Sequence, residues 1–218
     1  LSKIEAGKAR YEEAEFDLWD CIQSIDAMFR LQCEQKGLKW AVFWNGAILN
    51  QEGKGHPGLR VFSDEQKIRQ VLINLLNNAV KFTEAGKIAL SVEVQPETED
   101  PAQRDGEPRL RVRFTVKDTG VGIAPEEQPL VLKPFQRGQS GKIAGGTGLG
   151  LSIADRLIEV LGGKLCLQSQ LGDGSQISFD LELTTRQEFS VRLGFADGSE
   201  PKRLSLLGGV RALVAEDN

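Results

Sequence analysis

The amino-acid sequence predicts a two-layer α+β sandwich, a fold class that three features of the chain indicate. Apolar residues recur at helical spacing in three separate segments. Alternating apolar and polar residues predict strands that are joined as hairpins. The helices and hairpins follow one another in blocks rather than in strict β-α-β order, which favours an α+β sandwich over a doubly wound parallel sheet.

The first third of the chain predicts one long helix between two strands. Residues 11–16 predict a short strand. A helix follows from Asp17, a suitable N-cap, to about Gly37, a suitable C-cap. Residues 38–44 predict the second strand, and residues 47–61 form a Gly-rich connection with room for another short strand.

A second helix begins at Ser63, which fits a capping box with Gln66, and continues to about Phe82. Residues 87–94 and 109–116 predict two strands joined by a polar, Pro-rich loop. The remaining predicted elements are a Gly-rich turn, a helix, a flexible loop, a third apolar helix and a final hairpin. In chain order they are residues 118–125, a helix from Glu126, and residues 136–146, 149–161, 164–169 and 175–183.

The composition excludes several classes of protein. With 218 residues (23.9 kDa), the chain is long enough for one full domain with appended pieces. Lys and Arg total 27 against 31 Asp and Glu, and this net charge of -4 argues against a nucleic-acid-binding domain. No apolar run approaches the roughly 20 residues that a membrane span needs, and the sequence shows no signal peptide.

Cysteine and histidine usage argues against a disulfide framework, a zinc site and a histidine-based triad. Cys21, Cys33 and Cys166 are widely separated and odd in number, which indicates a reducing, cytosolic setting. His56 is the single histidine. The chain opens on Leu1 rather than methionine, and we expect an excised fragment whose chemistry is completed by residues outside it.

Three polar side chains share one stripe of the second helix. At about 100° per residue, Asn74, Asn78 and Lys81 fall within roughly 60° of one another. Asparagine oxygens can ligate a hard cation such as Mg²⁺, and a lysine can bind a phosphate. The alternative is a solvated face of an amphipathic helix, although two asparagines four residues apart are poor helix formers.

The segment DTGVGI directly follows the strand RVRFTV. Asp118 at the strand end can accept a hydrogen bond from an exocyclic amine. Gly120 and Gly122, at alternate positions, let the backbone approach a planar ligand closely. The alternative interpretation is an ordinary turn.

A glycine-rich run, GGTGLGL, lies just before the third apolar helix. Gly146, Gly148 and Gly150 expose successive backbone N–H groups at a helix N-terminus, which is a suitable site for a phosphate. A dinucleotide-binding fingerprint needs an apolar strand before it, and a P-loop needs Ser or Thr after Lys142. Neither is present, so the run binds phosphate in another way or is a flexible loop.

The order NLLNNAVKFT, DTGVGI, KPFQRG, GGTGLGLSIA closely resembles the ATP-binding domain of sensor histidine kinases, with its N, G1, F and G2 boxes. That domain belongs to a superfamily shared with gyrase-type topoisomerases, heat-shock 90 chaperones and mismatch-repair ATPases. The resemblance covers about residues 10–184. It implies a Bergerat-type fold, in which a mixed, mostly antiparallel sheet of about five strands packs on three helices and binds ATP with Mg²⁺.

The resemblance also implies roles for individual residues. Asn78 resembles the magnesium-ligating asparagine, Asn74 the first polar position of the N box, and Lys81 the phosphate-contacting lysine, so these three would be catalytic. Asp118 resembles the aspartate that recognises adenine. The other nucleotide-binding positions that it implies are Phe82, Gly120, Gly122, Ile123, Phe135, Gly146, Thr147, Gly148, Leu149, Gly150 and Leu151.

The sequence departs from the family pattern near the expected lid, residues 136–144, where Arg137 or Lys142 would contact the terminal phosphates. Leu132 stands where an F box often has its first phenylalanine. Pro129 interrupts a segment that is expected to be helical. Both departures concern the lid more than the nucleotide pocket.

The two ends of the chain resemble neighbouring domains of a hybrid histidine kinase. Residues 1–9 resemble the end of the dimerisation and phosphoacceptor domain. Residues 185–207 resemble a linker, and residues 208–218 resemble the first strand of a receiver domain with Glu216 and Asp217 as its acidic metal pair.

The function implied is transfer of the γ-phosphoryl of ATP to a histidine on the upstream dimerisation domain, and then to the receiver, in two-component phosphorelay signalling. His56 lacks the acidic neighbour of a phosphoacceptor histidine, so we expect it to be structural. Asn74 stands where ATP-hydrolysing relatives have a glutamate, and an amide cannot act as that base.

The resemblance implies as partners the chain's own dimerisation and receiver domains, a homodimer in the parent protein and a downstream response regulator or phosphotransfer protein, with no nucleic acid. The location implied is the cytoplasmic portion of a bacterial inner-membrane sensor. The alternative function is a non-catalytic regulatory module that binds and modulates another sensor kinase.

Overall fold

The computed structural model describes residues 11–48, 58–96, 108–134 and 148–186, together with residues 191–192 and 203–204. The chain divides into two compact units, Leu1–Thr185 and Arg186–Asn218. In the second unit, strands β9 (Val191–Arg192) and β10 (Arg203–Leu204) pair antiparallel. This short ladder lies inside the segment for which the sequence predicts a linker.

The first unit is built around one mixed sheet of eight strands. The strands are β1 (Ala14–Asp17), β2 (Lys39–Trp44), β3 (Ala47–Ile48), β4 (Arg60–Ser63), β5 (Lys87–Pro96), β6 (Arg109–Asp118), β7 (Leu165–Gln170) and β8 (Gly174–Thr184). Their order is β1-β4-β8-β6-β5-β2-β3, with β7 also paired to β8. Five of these strands have six or more residues, as expected, and the short strands β1, β3 and β4 complete the eight.

The sheet is mostly antiparallel. In the described part of the chain, β2 and β5 pair in parallel from Lys39↔Lys87 to Trp44↔Val92, and the other pairs are antiparallel. On β6, alternate residues are buried, which leaves one face for packing and one face exposed to solvent. The predicted α+β sandwich with a mixed sheet is therefore confirmed.

The described residues form four helices beside the sheet: α1 (Leu18–Gln35), α2 (Glu65–Phe82), α3 (Gln128–Val131) and α4 (Gly150–Val160). The three long helices form the second layer, in which α2 packs against α1, α4 and β6. The stacked rings of Phe114 and Phe179, 4.9 Å apart, lie in the core between the layers. None of the helices in the described segments is both long and apolar enough to cross a membrane.

Helix α1 begins as the sequence predicts. The Asp17 carboxylate accepts hydrogen bonds from the backbone N–H groups of Trp19 (2.9 Å) and Asp20 (3.4 Å). The helix ends at Gln35 with Lys36 as its C-cap, and Gly37 follows with a φ of +70°, a conformation that glycine adopts without steric cost. Gly37 is thus the residue after the C-cap.

The predicted capping box of helix α2 is wrong. Ser63 remains extended as the last residue of β4, where it pairs with Ala14 of β1. The N-cap is Asp64, whose carboxylate accepts hydrogen bonds from the backbone N–H groups of Lys67 and Glu12, both at 3.0 Å. An aspartate is as good an N-cap as a serine, so pairing of Ser63 in the sheet moves the helix start by one residue.

Helix α3 is shorter than the sequence predicts. It forms a single turn from Gln128 to Val131, with Pro129 in that first turn, where the missing N–H of proline removes no intrahelical bond. The predicted helix over 149–161 is confirmed as α4 within one residue at each end.

The three cysteines occupy different environments. Cys21 and Cys33 are buried on the inner face of α1, and Cys166 is exposed on β7. Burial raises the pKa of the Cys21 thiol to about 12.

Candidate functional site

The polar stripe of α2 lies beside the buried face of that helix. Asn74, Asn78 and Lys81 are each half-buried, whereas the neighbouring Asn77 is exposed. The buried residues of the helix are Ile68, Val71, Leu72, Leu75, Leu76 and Ala79. A fully solvated face, the alternative that the sequence allows, therefore describes Asn77 and not the predicted stripe.

Asn78 lies beside the start of helix α4. A Cβ atom placed on Gly150 would lie 3.5 Å from Nδ2 and 3.6 Å from Oδ1 of the Asn78 carboxamide. Gly150 is the first residue of α4, and Gly148 turns the chain into the helix with a φ of +69°. The N-cap residue Leu149 supplies no capping side chain, so the first-turn N–H groups of α4 are not bonded to a cap beside Asn78.

Asn74 lies one turn earlier on the same stripe. Its carboxamide oxygen accepts a hydrogen bond of 2.9 Å from Nε2 of Gln70. Its carboxamide nitrogen is buried and has no hydrogen-bond partner among the described residues. A buried donor without an acceptor costs about 1–3 kcal/mol, so this nitrogen is held at an energetic cost.

The C-terminal end of α2 brings Lys81 and Phe82 together. The Lys81 ammonium lies 5.0 Å from the centroid of the Phe82 ring, a cation–π distance. The carbonyl oxygen of Phe82 accepts a hydrogen bond of 3.3 Å from the backbone N–H of Val121. This bond joins the end of α2 to the DTGVGI loop.

Lys36, a residue that the sequence analysis does not single out, holds the same helix end. Its ammonium donates hydrogen bonds to the carbonyl oxygens of Val80, Lys81 (3.4 Å) and Thr83 (2.9 Å). These are carbonyls of the last turn of α2 and of its C-cap, where a cation also interacts favourably with the helix dipole. No local pattern predicts this contact, because Lys36 and Thr83 are 47 residues apart.

Asp118 is the last residue of strand β6. Its carboxylate accepts a hydrogen bond of 2.8 Å from the backbone N–H of Gly120. Burial raises the pKa of Asp118, and the hydrogen bonds from the backbone N–H groups of Gly120 and Ser175 only partly offset that effect. A half-buried carboxylate with a raised pKa at the end of a strand is a suitable acceptor for a polar ligand group.

Neighbouring backbone leaves no room for a side chain at either glycine of the DTGVGI loop. A Cβ on Gly120 would overlap the carbonyl group of Phe82, and a Cβ on Gly122 would overlap the carbonyl oxygen of Gln170. Gly122 also has a φ of +68°. These contacts give both glycines a packing role besides the one that the sequence predicts, close approach to a planar ligand.

The β7–β8 turn supports the other side of the same loop. Ile123 donates a backbone hydrogen bond of 2.8 Å to Oγ of Ser169, and Ser169 Oγ donates in turn to the carbonyl oxygen of Gly174 at 2.9 Å. Gln128 Nε2 donates to the carbonyl oxygens of Ile123 (3.2 Å) and Ser169 (2.8 Å). Ser169 and Gln128 are positioning residues that the sequence analysis does not identify.

Three of the predicted segments therefore meet within the described residues. Asn78 of the α2 stripe lies beside the start of α4, and the end of α2 is bonded to the DTGVGI loop through Phe82. Half-buried Leu151 lies in the first turn of α4. The predicted residues Phe135, Gly146, Thr147, Glu216 and Asp217 lie outside the described residues, as do the expected lid and His56.

This arrangement suits a ligand with an anionic end and a polar planar end. Carboxamides, an ammonium group and a helix N-terminus can bind phosphate oxygens. Asp118 is the first residue of the DTGVGI loop, and its carboxylate can accept a hydrogen bond from an amine on the planar end of the ligand.

The sequence matches a known protein family. The model of the histidine kinase-, DNA gyrase B- and HSP90-like ATPase family matches residues 63–185, more than half of the chain. The autoinducer 2 sensor kinase/phosphatase LuxQ of Vibrio cholerae is 33% identical over 222 residues, which cover 100% of this chain and 24% of LuxQ. The sensor protein GacS of Pseudomonas syringae is 32% identical over 99% of this chain and 21% of GacS. The chain thus spans a quarter or less of the length of these relatives.

Solved structures show the same fold. Full-length ShkA, crystallised in complex with AMPPNP, has a TM-score of 0.61 at 29% identity over 84% of this chain and 34% of ShkA. The nucleotide-free catalytic domain of the histidine kinase ThkA has a TM-score of 0.55 at 28% identity, over 78% of this chain and 97% of that domain.

Proposed function

We propose, since this chain belongs to the family of histidine kinase-, DNA gyrase B- and HSP90-like ATPases, that it is the ATP-binding catalytic domain of a hybrid sensor histidine kinase. It binds ATP and transfers the γ-phosphoryl to a histidine on an upstream dimerisation domain. In that transfer the bond between the γ-phosphorus and the β–γ bridging oxygen breaks, and ADP leaves with the bonding electrons. A P–N bond forms on the acceptor histidine, whose N–H proton passes to solvent or to a base on the dimerisation domain.

One observation carries the proposal: Asn78 lies so close to the start of α4 that a Cβ on Gly150 would touch its carboxamide. It supports a phosphate-binding site between the stripe of α2 and the N-terminus of α4, because both elements present donors to the same space. The hydrogen bond from Val121 to Phe82 keeps the DTGVGI loop at the end of α2. A nucleotide can therefore span from its base, at Asp118, to its phosphates, at Asn78 and Lys81.

The residues present fit a magnesium ion that is bound together with the nucleotide. Among the described residues, no three His, Cys, Asp or Glu side chains lie close enough to one another to hold a metal ion. Mg²⁺ is commonly bound by few protein ligands and completed by substrate phosphates and water. Asn78 would supply a carboxamide oxygen, and the ion would neutralise charge on the phosphates.

Asn74 favours phosphoryl transfer over ATP hydrolysis. Activation of a water molecule needs a general base, and a carboxamide cannot accept a proton at neutral pH. Lys81 and the first turn of α4 would orient the terminal phosphates, and positioning with charge neutralisation would provide most of the catalysis.

The proposal extends to partners and location. The chain would act on the dimerisation domain of its own homodimeric parent and pass the phosphoryl group to a receiver domain that begins near residue 208 and includes Glu216 and Asp217. A downstream response regulator or phosphotransfer protein would follow, and the whole would be the cytoplasmic portion of a bacterial inner-membrane sensor.

Nucleotide titration with a matched pair of variants tests the site. We expect Asn78→Ala to weaken binding of Mg-AMPPNP at least about tenfold, because it removes a metal ligand and a side chain at the head of α4. Asn77→Ala is the control, since Asn77 is exposed on the same turn. Equal affinities for the two variants would contradict the proposed site.

An autophosphorylation assay separates the kinase from the alternative of a regulatory module. A longer chain that includes the upstream domain is incubated with ATP labelled on its γ-phosphate. A kinase produces acid-labile phosphohistidine, whereas a module that only modulates another kinase produces none despite binding nucleotide.

A further inference from the structure

Gln70 extends the polar stripe of α2 by one turn, although no motif singles it out. It lies four residues before Asn74, as Asn74 lies four residues before Asn78, so the three side chains follow one line along the helix. The Gln70 Nε2 atom donates a hydrogen bond of 2.9 Å to Oδ1 of Asn74.

This bond determines which end of the Asn74 carboxamide faces inward. A carboxamide has an acceptor end and a donor end. Because the oxygen of Asn74 is bonded to Gln70 at the exposed side, the nitrogen is turned to the buried side, where it has no partner among the described residues. Rotation of the Asn74 amide alone by 180° would set N–H donors of Gln70 and Asn74 against each other, so the two ends of Asn74 exchange only if the Gln70 amide turns as well.

This orientation gives the two asparagines different roles, one as a hydrogen-bond donor and the other as a metal ligand. The oxygen of Asn74 is occupied, so this residue offers a donor, whereas Asn78 beside Gly150 is available to offer its oxygen to a cation. An inward N–H donor on the stripe that meets α4 suits a phosphoryl group, because negative charge is spread over its oxygens during transfer.

We propose that Gln70 is a positioning residue that fixes the carboxamide of Asn74 as a hydrogen-bond donor to the transferred phosphoryl group and leaves metal ligation to Asn78. This inference rests on the proposed function. It assigns Gln70 an effect on the rate of transfer and none on the affinity for the nucleotide.

Substitutions at position 70 test the inference in a chain that includes the upstream domain. Gln70→Glu has nearly the same shape but cannot donate to the Asn74 oxygen, and its carboxylate accepts the Asn74 N–H instead. Gln70→Met removes the polar group. Gln66→Glu is the control for the added charge, since Gln66 is also exposed and lies one turn earlier on α2.

We expect Gln70→Glu to lower kcat for autophosphorylation by about ten- to a hundredfold, the size of a misplaced catalytic group, with KM for ATP within about twofold of the wild type. Gln70→Met should have an intermediate kcat, and Gln66→Glu should match the wild type. Wild-type rates in Gln70→Glu would overturn the inference. So would a lower kcat, a higher KM and a lower thermal stability in all three variants together.

A second readout does not depend on activity. In the present chain, the side-chain amide resonances of Asn74 are followed by NMR with and without Mg-AMPPNP. We expect them to shift on binding in the wild type and to start from a different position in Gln70→Glu. If the wild type forms no phosphohistidine but its Asn74 amide responds in this way, the kinase function fails while the orientation by Gln70 stands. An Asn74 amide that is unchanged by both Gln70→Glu and nucleotide overturns the inference itself.

Discussion

The ammonium group of Lys36 donates a hydrogen bond of 2.9 Å to the carbonyl oxygen of Thr83. Lys36 is the C-cap of α1, and Thr83 is the C-cap of α2, so one side chain joins the ends of two helices. The residues that precede Thr83 are Lys81 and Phe82, both on the candidate site. The position of these site residues thus depends on a helix that contains none of the motifs.

We predict that Lys36→Met lowers the free energy of unfolding by about 1–2 kcal/mol, because the carbonyls at the end of α2 lose a charged donor. Lys36→Arg should restore part of this loss. Lys39→Met is the control, since Lys39 is exposed on β2 and its change should stay within about 0.5 kcal/mol. Urea unfolding measures all three, and equal losses for Lys36→Met and Lys39→Met would refute the helix-end contact.

Alanine substitutions at two glycines with positive φ separate the cost of steric overlap from the cost of backbone strain. Gly172→Ala meets nothing within 4 Å at a φ of +89°, so we predict a loss of about 1–2 kcal/mol from strain alone. Gly122→Ala adds an overlap with the Gln170 carbonyl, and we predict a loss of at least about 3 kcal/mol. Thermal unfolding measures both variants. A Gly122→Ala protein as stable as Gly172→Ala would show that the loop is not packed as described.

Nucleotide binding should depend on pH through Asp118. Burial raises the pKa of this carboxyl in the folded chain, so the charged form that would accept the amine of adenine is lost at a higher pH than for an exposed aspartate. We predict that the affinity of the wild type falls toward that of Asp118→Asn as the pH is lowered through the raised pKa. Calorimetric titration of both proteins cancels the titration of the nucleotide itself. A ratio of affinities that is constant with pH would argue against ionised Asp118 as the acceptor.

The same raised pKa has a consequence for stability. Protonation of Asp118 is easier in the folded chain, so its contribution to folding is most favourable below the unfolded pKa and is lost as the pH rises through the folded pKa. An NMR titration of the free protein should show this pKa above the ordinary value of 3.8.

Asp64, rather than Ser63, should stabilise the start of α2. We predict a loss of about 2 kcal/mol for Asp64→Ala, which removes the N-cap, and less than about 1 kcal/mol for Ser63→Ala. Burial alone would raise the pKa of Asp64, but hydrogen bonds from the Lys67 side chain and from the backbone N–H groups of Glu12 and Lys67 outweigh burial and lower it.

The stability that comes from the lowered pKa of Asp64 is therefore present above the ordinary value of 3.8 and is lost as the pH falls through the folded pKa. The free energy of unfolding, measured from pH 6 down to about pH 3, should depend less on pH in Asp64→Ala than in Ser63→Ala. If the two variants lose stability in parallel, the cap assignment is wrong.

The sequence predicts the long elements and the family because both depend on local patterns. Alternation in strands such as β6 and the helical spacing of α2 follow from which residues are buried. The resemblance to the ATP-binding domain of sensor histidine kinases rests on four motifs in order, and the family match over residues 63–185 confirms it.

What the sequence does not predict depends on contacts between distant segments. The start of α2 moves from Ser63 to Asp64 because Ser63 pairs with Ala14 in the sheet. Ser169 supports Ile123 across a separation of 46 residues, and no motif predicts that bond. Gln70 is different, since its spacing from Asn74 is visible in the sequence, but the direction of the bond between two amides is not.

The cysteines of α1 and β7 differ in accessibility, so their rates of chemical labelling report on local unfolding. The thiolate is the form that alkylating reagents attack, and Cys21, with its pKa near 12, is shielded both by burial and by protonation. Cys33 is also buried and its pKa is raised by burial, whereas Cys166 is accessible on the sheet. A labelling reagent should therefore modify Cys166 at once and the two thiols of α1 at the rate at which α1 leaves the sheet. The rate at which α1, whose C-cap Lys36 is bonded to Thr83, separates from the sheet can thus be measured by mass spectrometry in the wild-type protein, without any substitution.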